Sequence, residues 1–139
     1  MDLRSRGARN GRAAAATAAL LLPMLFVVLV AFSGCATASY QDPDSLRNLV
    51  ERGDTPYTLV DVRTPAEYSS GYIPTAVNIP VSEIASNLPK APKDSLVIVY
   101  CASGGRSARA AAALQAAGFT RVVDFGGIFR WKGPLAKGN

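Results

Sequence analysis

The chain of 139 residues contains no histidine. That absence removes Cys–His and Ser–His–Asp nucleophile pairs and any HExxH metal site. Cysteine is nearly absent too, with Cys35 and Cys101 the two in the chain. A metal site would have to be built from cysteine and carboxylates alone. No such cluster is visible, so neither a metal nor a cofactor is expected. Charge of one sign is not abundant either. The net +5 from 15 basic and 10 acidic residues is concentrated at the N-terminus, where Arg4, Arg6, Arg9 and Arg12 face only Asp2. Residues 35–139 carry 11 basic and 9 acidic side chains, a net +2. No basic stripe remains, so nucleic acid is not an expected partner. Internal repeats are also lacking.

What is present divides into two parts. After the arginine-rich head, an apolar run from Ala13 to Phe32 is interrupted only by Thr17 and Pro23, and "FSGC" with its small residues closes it at Cys35. A basic head, an apolar middle and a small-residue exit make an export signal. The head has no Arg-Arg pair, which argues against a twin-arginine signal. The segment resembles a bacterial lipoprotein signal in which Cys35 becomes the lipidated first residue, although Phe32 is less usual there than leucine. The competing arrangement is an uncleaved transmembrane anchor, since twenty helical residues span roughly 30 Å. Either way the remainder is expected outside the cytoplasm at a membrane surface of the cell envelope. The expected division is a signal over 1–34, a tether over 35–42 and a folded domain over 43–139.

Within that domain short strands alternate with short helices. A helix is expected over 42–53, with Asp42 and Pro43 opening it, Leu46, Leu49 and Val50 at helical spacing, and Gly53 at its exit. "YTLVDV" (57–62) reads as a buried strand. Thr64, Pro65 and Glu67 form a capping box that starts another short helix ending at Gly71. "TAVNIP" (75–80) reads as a strand and 82–88 as a helix capped by Ser82. "SLVIVY" (95–100) is the most apolar segment and is expected at the centre. A helix over 107–117, a strand over 121–125 and a terminal turn or helix complete the pattern. Strands without in–out alternation, separated by helices, predict an α/β fold with a small, mostly parallel sheet covered on both faces.

Cys101 follows the central strand, at the sheet edge where such folds bind ligands. The loop "CASGGRS" holds Ala102, Ser103, Gly104, Gly105, Arg106 and Ser107. Strand, glycine-rich turn and helix N-terminus together form an anion cradle of backbone N–H groups. If the anion is the Cys101 sulfur, its pKa falls from about 8.5 into the range of roughly 3.5–7.5. Arg106 would add a fork of donors for an oxyanion. The result is a nucleophile activated without a base. A small buried hydrophobe is the plain alternative for a lone cysteine, but loop residues flank this one.

Together, "LVDVRTPAEYSSGYIPTAVNIP", "YCASGGRSARAA" and "FGGIFRWKG" resemble the single-domain rhodaneses, a sulfurtransferase family. The resemblance covers roughly residues 40–139. It implies that the Cys101 thiolate takes the outer sulfur of thiosulfate or a related small anionic donor, holds it as a persulfide cradled by the loop, and passes it to a thiol or to cyanide. The family usually has "GHIPGA" where this chain has Gly71-Tyr72-Ile73-Pro74-Thr75-Ala76. Asp61, Arg63 and Glu67 match the family's charged positions and are expected to form an ion-pair brace, with Arg63 alternatively reaching the mouth of the site. Phe125, Phe129 and Trp131 can line the entrance or pack in the core. Two other functions remain open: a binding module of the same fold without turnover, and a cysteine phosphatase. The phosphatase reading suffers from spacing, since four residues separate Cys101 from Arg106 where phosphatases have five.

Overall fold

The computed structural model describes residues 38–138. The expected export signal, Cys35 and the start of the tether lie outside the described residues. Four parallel strands form one sheet in the order β2-β1-β3-β4, with β1 Tyr57–Asp61, β2 Val77–Asn78, β3 Leu96–Cys101 and β4 Arg121–Gly127. Three α-helices connect and cover them: α1 Pro43–Arg52, α2 Pro65–Ser70 and α3 Gly105–Ala116. This is the expected α/β architecture with helices on both faces.

All six residues of β3 are buried, as a strand flanked on both edges and covered on both faces requires. Period two divides its side chains between two cores. Val97, Val99 and Cys101 join Val60, Val62, Ala110 and Leu114 on the α3 side, while Leu96, Ile98 and Tyr100 join Leu46, Leu49, Leu59 and Phe125 on the α1 side. Truncating a side chain such as Leu114 to alanine costs about 2–5 kcal/mol in such a setting.

Local chemistry explains most boundaries. Asp42 caps α1 by accepting from the Ser45 N–H at 2.9 Å, and Gly53 ends it in a left-handed conformation. The Thr64–Glu67 capping box is formed, with Pro65 in the first turn of α2. Four expectations change. Residues 82–88 form successive turns from Pro80 instead of a helix, with only Ile84 of the segment's first turn fully buried. The strand expected over 75–80 shrinks to Val77–Asn78, because Pro80 has no N–H to continue a ladder. Residues 38–41, expected as tether, form a 3-10 turn against the domain: Tyr40 packs on the α1-side core and the Gln41 carbonyl accepts from Arg130 at 2.8 Å. The last strand runs on to Gly127 through a bulge, with Val99 opposite Asp124 but Tyr100 opposite Gly126.

Of the two departures from "GHIPGA", the threonine at 75 falls on a strained turn position. Thr75 has φ 73°, the one non-glycine residue with positive φ among those described. A β-branched side chain is strained there by about 1–3 kcal/mol, and the hydroxyl contact to Tyr57 at 2.8 Å offsets little of it because it is exposed. Tyr72 stacks on Tyr68 with centroids 4.1 Å apart and pairs with Ala136 in both backbone directions. Thr75→Gly is therefore expected to stabilise the domain by about 1 kcal/mol, after the added freedom of its unfolded chain is counted. Thermal unfolding should show a midpoint raised by about 4–8 °C. An unchanged or lowered midpoint would show that the turn is unstrained.

Candidate active site

Cys101 is the last residue of β3 and lies opposite Gly127 of β4. The chain then turns through Ala102, Ser103 and Gly104 and enters α3 at Gly105, two residues earlier than the sequence suggests. Gly104 takes φ 108°, which only glycine adopts without strain. Gly127 is equally constrained. A Cβ on it would collide with the Phe129 ring and come within 2.8 Å of the Ala102 carbonyl oxygen.

The loop turns its donors on the sulfur. The Gly104 N–H reaches Cys101 Sγ at 3.0 Å, and the thiol itself donates to Ser107 Oγ at 3.7 Å. Burial pushes the thiol pKa up, but the N–H groups of Ser107, Gly104 and Ser103 and the Ser107 hydroxyl outweigh it, so the net shift is downward. No side-chain base takes part. Ser107 is itself buried and donates to the Gly104 carbonyl at 2.8 Å, which holds the turn closed. Cys101 has 0% exposed surface. A reagent therefore reaches Sγ only when part of the loop gives way.

Arg106 and Arg63 are placed differently from expectation. The Arg106 fork is occupied by Glu67: Nη1 donates to Oε2 at 2.7 Å and Nη2 to Oε1 at 2.8 Å. The same carboxylate accepts from the Thr64 N–H and hydroxyl at 2.9 and 3.0 Å. One side chain thus closes the cap of α2 and clamps the first turn of α3. Arg106 and these donors lower the Glu67 pKa from its ordinary 4.5 to about 2. The stability this provides is complete above pH 4.5 and is lost as pH falls through about 2. The pair is about one-third exposed, so its contribution is modest.

Arg63 is not a mouth residue. It is buried, donates to Asp61 through its backbone N–H, Nε and Nη2, and reaches the Gly71 carbonyl at 2.7 Å. The expected three-residue brace is in fact two pairs, Asp61–Arg63 and Glu67–Arg106. Removing one member of the buried Asp61–Arg63 pair costs about 3–5 kcal/mol, because a charge is left without a partner. Sequence reasoning missed the Glu67–Arg106 contact: the two residues are 39 apart, and a capping-box glutamate gives no signal of a second partner. Of the three aromatics, Phe125 is buried and Trp131 packs on the α1-side core with its indole N–H bonded to the Pro134 carbonyl. Only Phe129 stands exposed.

Among the described residues no group of three His, Cys, Asp or Glu could hold a metal, and no helix is long and apolar enough to cross a membrane. The arrangement presents one sulfur whose pKa is lowered by the N–H groups of the loop around it. Alkylation of Cys101 by iodoacetamide should accordingly show its half-maximal rate below the ordinary thiol value of about 8.5. A midpoint at or above about 8.5 would mean that burial outweighs the loop N–H groups.

Comparison with known proteins gives a consistent picture. Residues 42–134 match the family described as the rhodanese-like domain. A sulfurtransferase of Allochromatium vinosum is 46% identical over 74 residues, covering 52% of this chain and 69% of that protein. The thiosulfate sulfurtransferase PspE of Escherichia coli is 35% identical over 81 residues, covering 57% and 78%. The crystal structure of a rhodanese-like domain protein from Staphylococcus aureus superposes with a TM-score of 0.61 at 36% identity, covering 70% of this chain and 95% of the other.

Proposed function

The chain belongs to the rhodanese-like domain family, and from that premise we propose that it moves sulfane sulfur from thiosulfate or a related donor to a thiol or cyanide through a Cys101 persulfide. Relatives that are sulfurtransferases support sulfur transfer in general. The observation that carries the reading is the Gly104 N–H at 3.0 Å from Cys101 Sγ, in a turn that lowers the thiol pKa. The Cys101 thiolate attacks the outer sulfur of thiosulfate. A Cys–S–S bond forms, the donor S–S bond breaks, and sulfite leaves with the electron pair. An acceptor thiolate or cyanide then attacks the outer persulfide sulfur and releases the Cys101 thiolate. The loop N–H groups suit both the thiolate and the persulfide anion.

Arg106 supports the reaction through the loop and not as a free cation for the donor. Its charge is balanced by Glu67. Incubation with thiosulfate should increase the mass of the wild-type protein by one sulfur atom, and Cys101→Ser should show no gain. In single-turnover assays Arg106→Ala should slow loading and discharge alike, by roughly tenfold for the loss of about 1.4 kcal/mol of loop support. Loss confined to loading would mean that Arg106 binds the donor. A wild-type protein that gains no sulfur would favour the binding-module reading, to which the complete burial of Cys101 gives some weight.

The N-terminal segment supports a second part of the proposal. Residues 1–34 act as an export signal removed before Cys35, which carries lipid and holds the domain at an extracytoplasmic membrane surface. The described domain begins at Ala38, three residues after Cys35, a reach of at most about 10 Å. Cys35→Ala should leave the precursor unprocessed by the lipoprotein route, and the wild type should partition with membranes with Cys35 as its first residue. Recovery of wild-type protein with residues 1–34 still attached would establish a transmembrane anchor instead.

A further inference from the structure

Phe129 is 74% exposed, against 47% for Val77 and 48% for Leu135, the other exposed large hydrophobics described. Its setting is not that of a loose loop. It lies in the 3-10 turn Ile128–Arg130, immediately after β4. Arg130 pins that turn with Nη1 on the Phe125 carbonyl at 2.7 Å and Nη2 on the Gln41 carbonyl at 2.8 Å. The Trp131 N–H closes it on the Ile128 carbonyl at 3.0 Å. The ring lies over Gly127, in the space a side chain at that position would fill, and the Ala102 carbonyl borders the same space. Gly127 is the ladder partner of Cys101. An apolar surface is thus held out to solvent beside the first loop residue after the sulfur.

The polar side of the site offers little discrimination. Ala102, Ser103, Gly104 and Gly105 carry no charge, and Arg106, a cation that acts on the sulfur, is held in place by Glu67 through Nη1 and Nη2 and favours any sulfur anion alike. Backbone N–H groups stabilise any sulfur anion alike. What distinguishes one acceptor from another at this mouth is therefore apolar contact, which grows with the carbon area removed from water.

We propose that Phe129 is a specificity-determining residue for sulfur discharge, its ring packing on the carbon body of an organic thiol whose sulfur attacks the Cys101 persulfide. Cyanide has no such body and passes without using the ring. The inference rests on the sulfur-transfer reading above. The transfer is balanced: the acceptor thiolate forms a new S–S bond to the outer sulfur, the Cys101 Sγ–S bond breaks, and Cys101 leaves as thiolate.

The test starts from full-length protein loaded with thiosulfate and freed of excess donor. Discharge is followed with phenylmethanethiol and with cyanide for the wild type, Phe129→Ala and Phe129→Leu. In Phe129→Ala, kcat/KM for phenylmethanethiol should fall about fivefold to tenfold, mainly through KM. Cyanide discharge should stay within about twofold, since it makes no contact with the ring. Phe129→Leu should recover most of the thiol reaction. Equal losses with both acceptors would show that the ring only shapes the loop and would overturn the inference, as would no loss with either. Wild-type protein that takes up no sulfur is a separate result. It would overturn the sulfur-transfer reading and this inference with it.

Discussion

The parallel pairing that encloses β3 between β1 and β4 is the constraint on which the site depends. Every side chain of β3 is buried, so the strand has no freedom to shift by one residue without moving its two cores to the wrong faces. That register sets Cys101 at the carboxyl end of the strand and opposite Gly127. The bulge in β4 then brings two glycines alongside Tyr100 and Cys101. A side chain on Gly127 would crowd the Ala102 carbonyl of the turn through Ala102 to Gly104, and Gly126 holds φ 90°, which suits glycine.

Charge serves this architecture more than the ligand. Arg63 is spent on Asp61 and the Gly71 carbonyl inside the protein. Arg106 is spent on Glu67, which also closes the cap of α2. Two helices and the active loop thus share a single carboxylate. The sulfur is held by N–H dipoles, which lower its pKa and cannot themselves be titrated away. A chain without histidine needs such a device, because no imidazole is available to take the thiol proton.

Strain and exposure appear at two places the core does not control. Thr75 holds positive φ in the turn that leads to β2, held by Tyr57 from the neighbouring strand and by the burial of Ile73 and Ala76 on either side. Phe129 is displayed by a turn whose own hydrogen bonds are complete. Both are fixed by surroundings that are well satisfied, and in the case of Phe129 the exposed ring borders the reactive loop.

Much of this was legible in the residues in order. The apolar run of 95–100, the capping box at Thr64–Glu67 and the glycine-rich turn after Cys101 are local signals, and each became the expected element because propensity, capping and period act over a few neighbouring residues. The helix expected over 82–88 rests on a capping signal that is purely local, and the chain forms successive turns there, with Ile84 buried. The sequence by itself determined the α/β order, the absence of imidazole chemistry and the placement of a lone thiol at a helix N-terminus. Tertiary structure alone decided that Arg106 faces Glu67, that Arg63 turns inward to Asp61, and that Phe129 and not Phe125 is exposed. Those outcomes depend on which side chains meet across tens of residues of chain, and that is settled by sheet register and packing, not by spacing in the sequence.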